Sequence, residues 1–418
     1  MRTLILGYGI SGKGSLKLLE QRNIPTVLFD DSLKAQEEIL KDGKNLLLQN
    51  SILLDEIAQI VVSPGVSPLH PILKNAEKLR IPIMSDIELA LSTFPGRFVG
   101  ITGTNGKTTT CHMLHFLLTE VGVSAKLTGN YGTSICDTVL SADKNDVLIV
   151  ELSSFQLHYT KKLQSYACAF VNFNDDHLDW HHGRKNYFSS KWKIFELAPP
   201  GILRILTPSV SAEALAQLKP PLHPDNCLVL DGQNKDLSPD FFQTTHDRLN
   251  AEIASHLAAD ITGARAEFFF PFFKRYKKLP HRFEIFLKKE GRLFINDSKG
   301  TNLDATISAL QNTPSPLILF LGGIPKDPSF EPLRAYSDKI IKIIIFGQGK
   351  EAIRKDLSPF FSTKVYDTLH QALEQTQTLL CNESAHVLFS PACASMDEFS
   401  NYQHRGVFFK ETVLDFFR

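Results

Sequence analysis

The chain has 418 residues, with 45 Lys plus Arg balanced by 45 Asp plus Glu, so its formal charge is zero. Apolar residues make up 43% and charged residues 22%, an ordinary globular composition that excludes disorder as the dominant state. There is no basic excess or basic run of the kind that marks a nucleic-acid binder, and the length predicts roughly two to four domains.

The first segment alternates short apolar runs with helical stretches. Thr3–Leu6 reads as a buried strand, followed by glycines and a helix around Lys13–Gln21. Thr26–Asp30 and Gln59–Ser63 read as further strands. Alternation of this kind predicts a parallel α/β sheet, here extending to about residue 88. A second unit starts with the strand-like run Phe98–Thr102, a glycine turn and a helix from Lys107. Val147–Glu151 and Cys168–Asn172 read as more strands of this unit. Residues 207–245 are rich in Pro, Asp and Gln and read as loop. In the third unit, Phe283–Leu287 and Arg292–Asn296 read as a strand pair. Pro316–Leu321, Ile340–Phe346 and His386–Ser390 read as parallel strands with helices between. The resulting fold class is α/β with three domains, 1–88, 89–278 and 279–418, with ligands expected in the clefts between them.

The six cysteines, Cys111, Cys136, Cys168, Cys227, Cys381 and Cys393, form no CxxC pair. That argues against a disulfide framework or a thiolate zinc site and for reduced thiols in a cytosolic enzyme. No apolar stretch approaches a membrane span, and the N-terminal apolar run stops at Gly7, unlike a signal peptide. The chain reads as soluble and cytoplasmic, with no membrane partner.

The strongest local signal is Gly103-Thr104-Asn105-Gly106-Lys107-Thr108-Thr109, between a strand and a helix. Backbone N–H groups in such a turn cradle phosphate oxygens, and the helix N-terminus favours anions. Lys107 would neutralise the β- and γ-phosphates, and the Thr108 hydroxyl would hold Mg²⁺. The strict GxxxxGK(S/T) pattern wants glycine where Ile101 stands. Gly7-Tyr8-Gly9-Ile10-Ser11-Gly12 is a GxGxxG after a strand, with Asp30 as the acidic residue expected about 20 positions on. It points to a nucleotide without establishing NAD, and a bare strand–helix turn is the plainer reading.

Glu151 ends a predicted strand, where ligands of open α/β sheets gather, and suits Mg²⁺, which takes oxygen ligands and few protein groups. His177 lies among carboxylates in Asn172–Asp179, a setting that favours a site over a structural histidine. The segment Tyr187–Phe195 reads as an amphipathic helix with surface lysines, in which the spacing does not single out Lys191 over Lys193. Asn296–Asn302 at a strand-to-helix turn would meet phosphate or substrate, or cap the next helix. Gly322–Lys326 and Ser390–Ser395 both follow apolar strands and so belong at one edge of the third sheet.

Taken in order, these motifs resemble the Mur ligases of bacterial cell-wall synthesis, and among them the branch that adds D-glutamate. The matching pieces are the N-terminal glycine turn, Ser63-Pro64-Gly65-Val66, the GTNGKTT loop, Gly129-Asn130-Tyr131-Gly132, Glu151–Leu157, Asp175–Asp179, His281–Glu284, Asn296–Asn302, the GGxxK stretch and Ser390–Ser395. The resemblance spans essentially the whole chain. It implies a Rossmann-like N-terminal domain for UDP, a central P-loop ATPase-like domain and a Rossmann-like C-terminal domain.

The resemblance further implies ATP-dependent, ADP-forming ligation of D-glutamate to UDP-N-acetylmuramoyl-L-alanine through an acyl phosphate, with two Mg²⁺ ions and a monomeric enzyme. Ile10, Ser11, Asp30, Ser63, Gly65 and Asn130 would bind the UDP substrate. The loop 103–109 with Asn250, Arg282, Asp297 and Lys299 would bind ATP. Thr108, Glu151, His177 and Lys191 would serve the metal ions, Lys191 as a carbamoylated lysine. Thr301, Lys326, Ser395 and Tyr402 would grip D-glutamate. Departures from the family pattern are Asp247 for Asn, Tyr131 for an aliphatic residue, Ile324-Pro325 within GGxxK, Tyr402 for Phe, and a one-residue shorter spacing from His177 to Lys191. Rival readings are another amino-acid ligase of the same superfamily, an NAD-dependent oxidoreductase, and a nucleotide-binding regulator without turnover.

Overall fold

The computed structural model describes residues 1–46, 54–217, 227–237, 242, 244–326 and 329–417. It divides into two compact units, Met1–Tyr276 and Lys277–Arg418.

The first unit holds two sheets. In one, β1 (Arg2–Leu6), β2 (Thr26–Phe29), β3 (Ile57–Val62) and β4 (Ile83–Ser85) lie in the order β2-β1-β3-β4, all parallel. In the other, β5 (Arg97–Thr102), β6 (Ala125–Gly129), β7 (Val147–Glu151), β8 (Ala167–Phe170), β9 (Leu203–Leu206) and β10 (Leu228–Val229) lie in the order β10-β9-β8-β5-β7-β6, also parallel. The strands are near-continuous apolar runs because helices cover both sheet faces. β7 is buried along its whole length.

The two sheets are joined closely. The helix Ile10–Gln21 packs on Ile135–Ser141, where a Cβ on Gly14 would stand 2.2 Å from Ser134 Oγ. Lys17 pairs with Asp137 at 2.8 Å, Ser85 Oγ meets Thr160 Oγ1 at 2.8 Å, and the Lys161 N–H donates to Glu88 at 2.7 Å.

The second unit is a six-stranded sheet of β11 (Glu284–Lys289), β12 (Arg292–Asn296), β13 (Leu317–Gly322), β14 (Ile340–Phe346), β15 (Thr363–Val365) and β16 (His386–Phe389). Its order is β11-β12-β16-β13-β14-β15, and only the β11–β12 pair is antiparallel among the described residues. Apolar clusters fill both sides of this sheet.

The predicted strands are present: Val147–Glu151, Arg292–Asn296 and Ile340–Phe346 have the predicted ends, and the others are shifted by one or two residues at one or both ends. Three short strands, β4, β6 and β9, lie where the sequence reading placed none, and so does β15. The loop reading of 207–245 needs correction. A helix runs from Pro208 to Gln217, and β10 follows. Proline at the first helical position is pre-set for helical φ, and the run SAEALAQ favours helix. The parts of this stretch at 218–226, 238–241 and 243 lie outside the described residues. No helix among the described residues is long and apolar enough to cross a membrane.

Candidate active site

The glycine loop of the second sheet starts where β5, set between β8 and β7, runs out at Thr102. Gly103 (φ +156°) and Gly106 (φ +79°) bend the chain into the helix Lys107–Glu120, in backbone regions that side-chain-bearing residues rarely take. The loop is held from several directions. Asn172 Oδ1 accepts the N–H groups of Thr104 (3.1 Å) and Asn105 (2.9 Å). The Thr104 hydroxyl lies 3.1 Å from the Asn174 carbonyl and 3.2 Å from Tyr187 Oη. Behind the loop stands buried Asn250, whose Oδ1 meets Thr110 Oγ1 at 3.1 Å and would be 2.8 Å from a Cβ on Gly106. Thr108 is buried, and Thr109 is half-buried.

Two lysine side chains converge on this loop. Lys107 Nζ donates to the carbonyls of Gly103 (2.8 Å) and Thr104 (2.9 Å), and Lys191 Nζ donates to Gly103 O at 2.7 Å. Lys191 is not the surface lysine read from the sequence. It is buried, 4.8 Å from the Tyr187 ring centroid, whereas Lys193 is half-buried. Burial, and then the charge of Lys107, pull its ammonium well below the usual lysine range, against the opposing pull of Asp176 and Glu151. A signal for this was present in the sequence. Lys191 falls in the i, i+4, i+8 stripe Tyr187, Lys191, Phe195, all buried, and Lys193 falls outside it.

Glu151 pairs in register with Ile101 across β7 and β5, so its carboxylate belongs at the same sheet edge as the loop. It is buried, with Oε1 accepting from Asn130 Nδ2 at 3.0 Å and Oε2 without a hydrogen-bond partner among the described residues. Gly129 permits this approach, because a Cβ there would stand 2.3 Å from the Glu151 carbonyl oxygen. His177 adopts left-handed φ (+53°), with Nε2 3.5 Å from Asp176 Oδ2 and its ring 4.8 Å from that of Phe155.

The other glycine turn, after β1, is closed by different partners. Asp30 Oδ2 accepts the Tyr8 N–H at 2.7 Å, and its Oδ1 accepts from Ser32 N at 2.8 Å. Ser63 Oγ donates to the Gly7 carbonyl at 2.8 Å, while Ile10 and Gly65 are exposed and Ser11 is half-buried. Ser11 and Gln156 both hydrogen-bond to the buried carboxyl of Asp86, which desolvation pushes up to about 6. The sequence reading singled out neither Asp86 nor Gln156 in this role, because Gln156 reaches Asp86 from the other sheet, and Ser11 lies far from it in sequence.

In the second unit, Asp297 follows β12 and accepts from Phe283 N (3.0 Å) and Ser390 Oγ (2.7 Å). Lys299 Nζ lies 4.9 Å from the Tyr402 ring centroid. Arg282 Nη2 has no hydrogen-bond partner among the described residues. Thr301 is half-buried, Ser395 buried and Lys326 exposed. Asn302 caps the next helix through Ala305 N at 2.9 Å. The Gly322–Lys326 and Ser390–Ser395 stretches meet as expected, through paired bonds between Ile324 and Ala394, both 2.9 Å. Sequence reading missed Arg405. Its buried guanidinium donates to Ser298 Oγ (3.1 Å), Ser298 O (2.9 Å), Cys393 O (3.0 Å) and Gly322 O (3.3 Å), and burial lowers it to about 10. It holds together the three loops at this sheet edge.

No group of three His, Cys, Asp or Glu side chains among the described residues is placed to hold a metal ion. Mg²⁺ does not need one, since waters and substrate phosphates supply most of its ligands. The buried, unpartnered Oε2 of Glu151 and the buried Thr108 hydroxyl are the hard oxygen donors it takes.

Residues 101–255 match the family model of the Mur ligase middle domain. The chain is 32% identical to the UDP-N-acetylmuramoylalanine–D-glutamate ligase of Hydrogenobaculum sp., over 99% of this chain and 98% of that protein. It is 33% identical to the ligase of that name from Aquifex aeolicus, with the same coverage. Among solved structures it is similar to a pseudomurein peptide ligase type C from Methanothermus fervidus (TM-score 0.58, 16% identity, 99% of this chain and 100% of that one). It is also similar to UDP-N-acetylmuramate-alanine ligase from Thermotoga maritima (TM-score 0.56, 15% identity, 100% of this chain and 99% of that one). The structural likeness establishes the three-domain α/β fold, and the sequence identity over the full length establishes kinship: the chain belongs to the UDP-N-acetylmuramoylalanine–D-glutamate ligase family of Mur ligases.

Proposed function

We propose that the chain joins D-glutamate to UDP-N-acetylmuramoyl-L-alanine at the expense of ATP, forming ADP and phosphate in peptidoglycan precursor synthesis. It acts in the cytoplasm as a monomer on small molecules, with domains at 1–88, 89–278 and 279–418. The observation that carries the reading is the pair of lysine side chains, Lys107 and Lys191, that donate to the Gly103 carbonyl of a phosphate-type loop. The relatives' shared name supports the choice of substrates.

In the first step the substrate carboxylate attacks the γ-phosphate, the bond to the β,γ-bridging oxygen breaks, and an acyl phosphate and ADP form. Two anions must approach, so positive groups have to be in place beforehand. The loop's N–H groups and helix N-terminus receive the phosphates. Lys107, held at the loop by two carbonyls, would turn from them to the β- and γ-oxygens. Asn250 acts from behind the loop by keeping Gly106 in place. In the second step the amine of D-glutamate attacks the acyl carbon and phosphate leaves. Thr301, Lys326, Ser395 and Tyr402 grip the amino acid, while Ile10, Ser11, Asp30, Ser63, Gly65 and Asn130 bind the UDP substrate. Arg282, Asp297 and Lys299 bind the nucleotide. The unpartnered Nη2 of Arg282 supports that role.

Two Mg²⁺ ions, when bound, supply further neutralisation of phosphate charge. Thr108, Glu151, His177 and Lys191 would hold them. An ammonium is no ligand, but burial favours the neutral amine of Lys191. A neutral amine adds CO₂: the Nζ–C bond forms, one C–O π bond opens, and the proton lost from nitrogen leaves to solvent. The product carbamate presents carboxylate-like oxygens. A carbamate ¹³C resonance after incubation with labelled bicarbonate, absent in Lys191→Met, tests this modification. An identical spectrum from the variant would exclude it.

The activity is tested by phosphate release from ATP and Mg²⁺ with UDP-N-acetylmuramoyl-L-alanine, with and without candidate amino acids. Release that requires D-glutamate, and not L-glutamate or diaminopimelate, is the expected result. Release with another acceptor would keep the chemistry and move the substrate. No release with any acceptor would overturn the ligase reading.

A further inference from the structure

A chain of buried polar contacts runs beside the lysine pair, and the chemistry described so far makes no use of it. Ser190 Oγ has three neighbours: the Asn186 carbonyl at 2.8 Å, His181 Nδ1 at 3.4 Å and His158 Nδ1 at 3.3 Å. A hydroxyl has one proton and two lone pairs. A carbonyl only accepts, so the Ser190 proton belongs to Asn186 O. Ser190 then accepts from both rings, and each Nδ1 must carry a hydrogen. The remaining nitrogen of His181, Nε2, lies 2.9 Å from Ser154 Oγ. In an uncharged ring with hydrogen on Nδ1, Nε2 is a lone pair, and the Ser154 hydroxyl donates to it.

The rings stay uncharged for a plain reason. His181 is buried and His158 half-buried, which disfavours the charged form of each ring. Aromatic rings close around His181, with Trp180 at 4.5 Å, Tyr187 at 5.1 Å and Phe155 stacked at 5.5 Å between centroids.

The two ends of this relay sit on the two elements that carry candidate site residues. Ser154 opens the helix Ser154–Tyr159, three residues after Glu151. Ser190 precedes Lys191 in the helix Arg184–Glu196. We propose that His181 is a positioning residue which, as the Nδ1–H imidazole, spans Ser154 and Ser190 and thereby fixes Lys191 relative to the Glu151 strand end. Lys193, donating to the His158 carbonyl, ties the same two helices at a second point. This role rests on the ligase reading of Lys191 and Glu151, but the assignment of the proton does not.

The test has two parts. In the wild-type protein at neutral pH, ring-nitrogen NMR should show His181 protonated on Nδ1 and bare on Nε2, the signal being assigned by its loss in His181→Phe. A hydrogen on Nε2, alone or with one on Nδ1, would overturn the relay. In phosphate-release kinetics, His181→Phe keeps a ring of similar volume and loses both bonds. Its kcat should fall roughly tenfold, about the worth of one net hydrogen bond, with the KM for D-glutamate and for the UDP substrate within about twofold. His181→Asn, whose amide nitrogen replaces Nδ1–H, should recover part of the loss. Full kcat in His181→Phe would overturn the positioning role. Should His181→Phe fail to fold, His181→Asn supplies both the assignment and the kinetic comparison, and full kcat together with loss of the Ser154 bond would overturn it equally. A wild-type protein that shows the Nδ1–H ring yet never releases phosphate would sink the ligase reading and leave the relay standing.

Discussion

The first unit contains two glycine turns, each between a strand and a helix, and they are closed in opposite ways. After β1, a carboxylate and a hydroxyl close the turn: Asp30 takes the Tyr8 N–H, and Ser63 donates to Gly7 O. After β5, two lysine side chains rest on carbonyl oxygens, and an amide side chain, Asn172, takes two N–H groups. The first turn has a carboxylate built into it that already accepts backbone N–H groups. The second is poised for polyanions, because Lys107 can leave the carbonyls for phosphate oxygens. Similar glycine spacing thus hosts different chemistry, and the difference lies in side chains that arrive from other strands.

The comparison can be broken most sharply at Lys107. Lys107→Ala should lower kcat by roughly 10²–10³, the worth of a preorganised charge-stabilising donor, with an unchanged circular dichroism spectrum. A retained kcat would remove the polyanion role from the second turn.

Asp86 offers the next largest effect, on stability. Its carboxyl is raised to about 6, so the folded state holds a proton that the unfolded chain releases near pH 4. The stability this proton contributes is complete below about pH 4 and is lost as pH rises through about 6, worth roughly 3 kcal/mol at about 1.4 kcal/mol per pH unit. Asp86→Asn should flatten that part of the curve of unfolding free energy against pH. An unchanged curve would show that the carboxyl is not the buried, ionisation-resisting link between Ser11 and Gln156. The lowered His158 and His181 act with the opposite sign. They contribute stability above about pH 6.5 that is lost as pH falls toward about 4 and about 3 respectively, and Asp86→Asn leaves that arm in place.

Gly12 probes the close packing of the first turn. A Cβ there would lie 1.9 Å from the Gly7 carbonyl oxygen, so Gly12→Ala should cost about 1–3 kcal/mol in denaturant unfolding. In the second unit, the exposed Lys326 is expected to recognise rather than to drive. Lys326→Ala should raise the KM for D-glutamate roughly tenfold with little change in kcat, and an unaltered KM would remove that contact. The smallest effect belongs to Gly9, where a Cβ meets no heavy atom within 4 Å among the described residues. Gly9→Ala should stay within about 0.5 kcal/mol of wild type, and a large loss would show that the turn changes shape.

The central strands were legible because a strand buried on both faces is a continuous apolar run, as in Val147–Glu151 and Ile340–Phe346. Short strands at or near sheet margins, such as β6 and β15, are only partly buried and carry no such run. The helix Pro208–Gln217 was hidden by the Pro- and Asp-rich stretch around it. In the site, the glycine loop and Glu151 could be read from motif and strand end. Asn172, Tyr187 and Arg405 could not, since each acts on a loop distant in sequence.

The sequence by itself determined the α/β class, the phosphate-type loop and the order of motifs, because strand, turn and helix signals are local and a glycine turn needs only its own residues. Tertiary structure decided which lysine is buried, which carboxyl resists ionisation, and which nitrogen of His181 carries hydrogen. Those properties depend on desolvation and on neighbours within a few ångströms, and in this chain the neighbours come from strands and helices far apart in sequence.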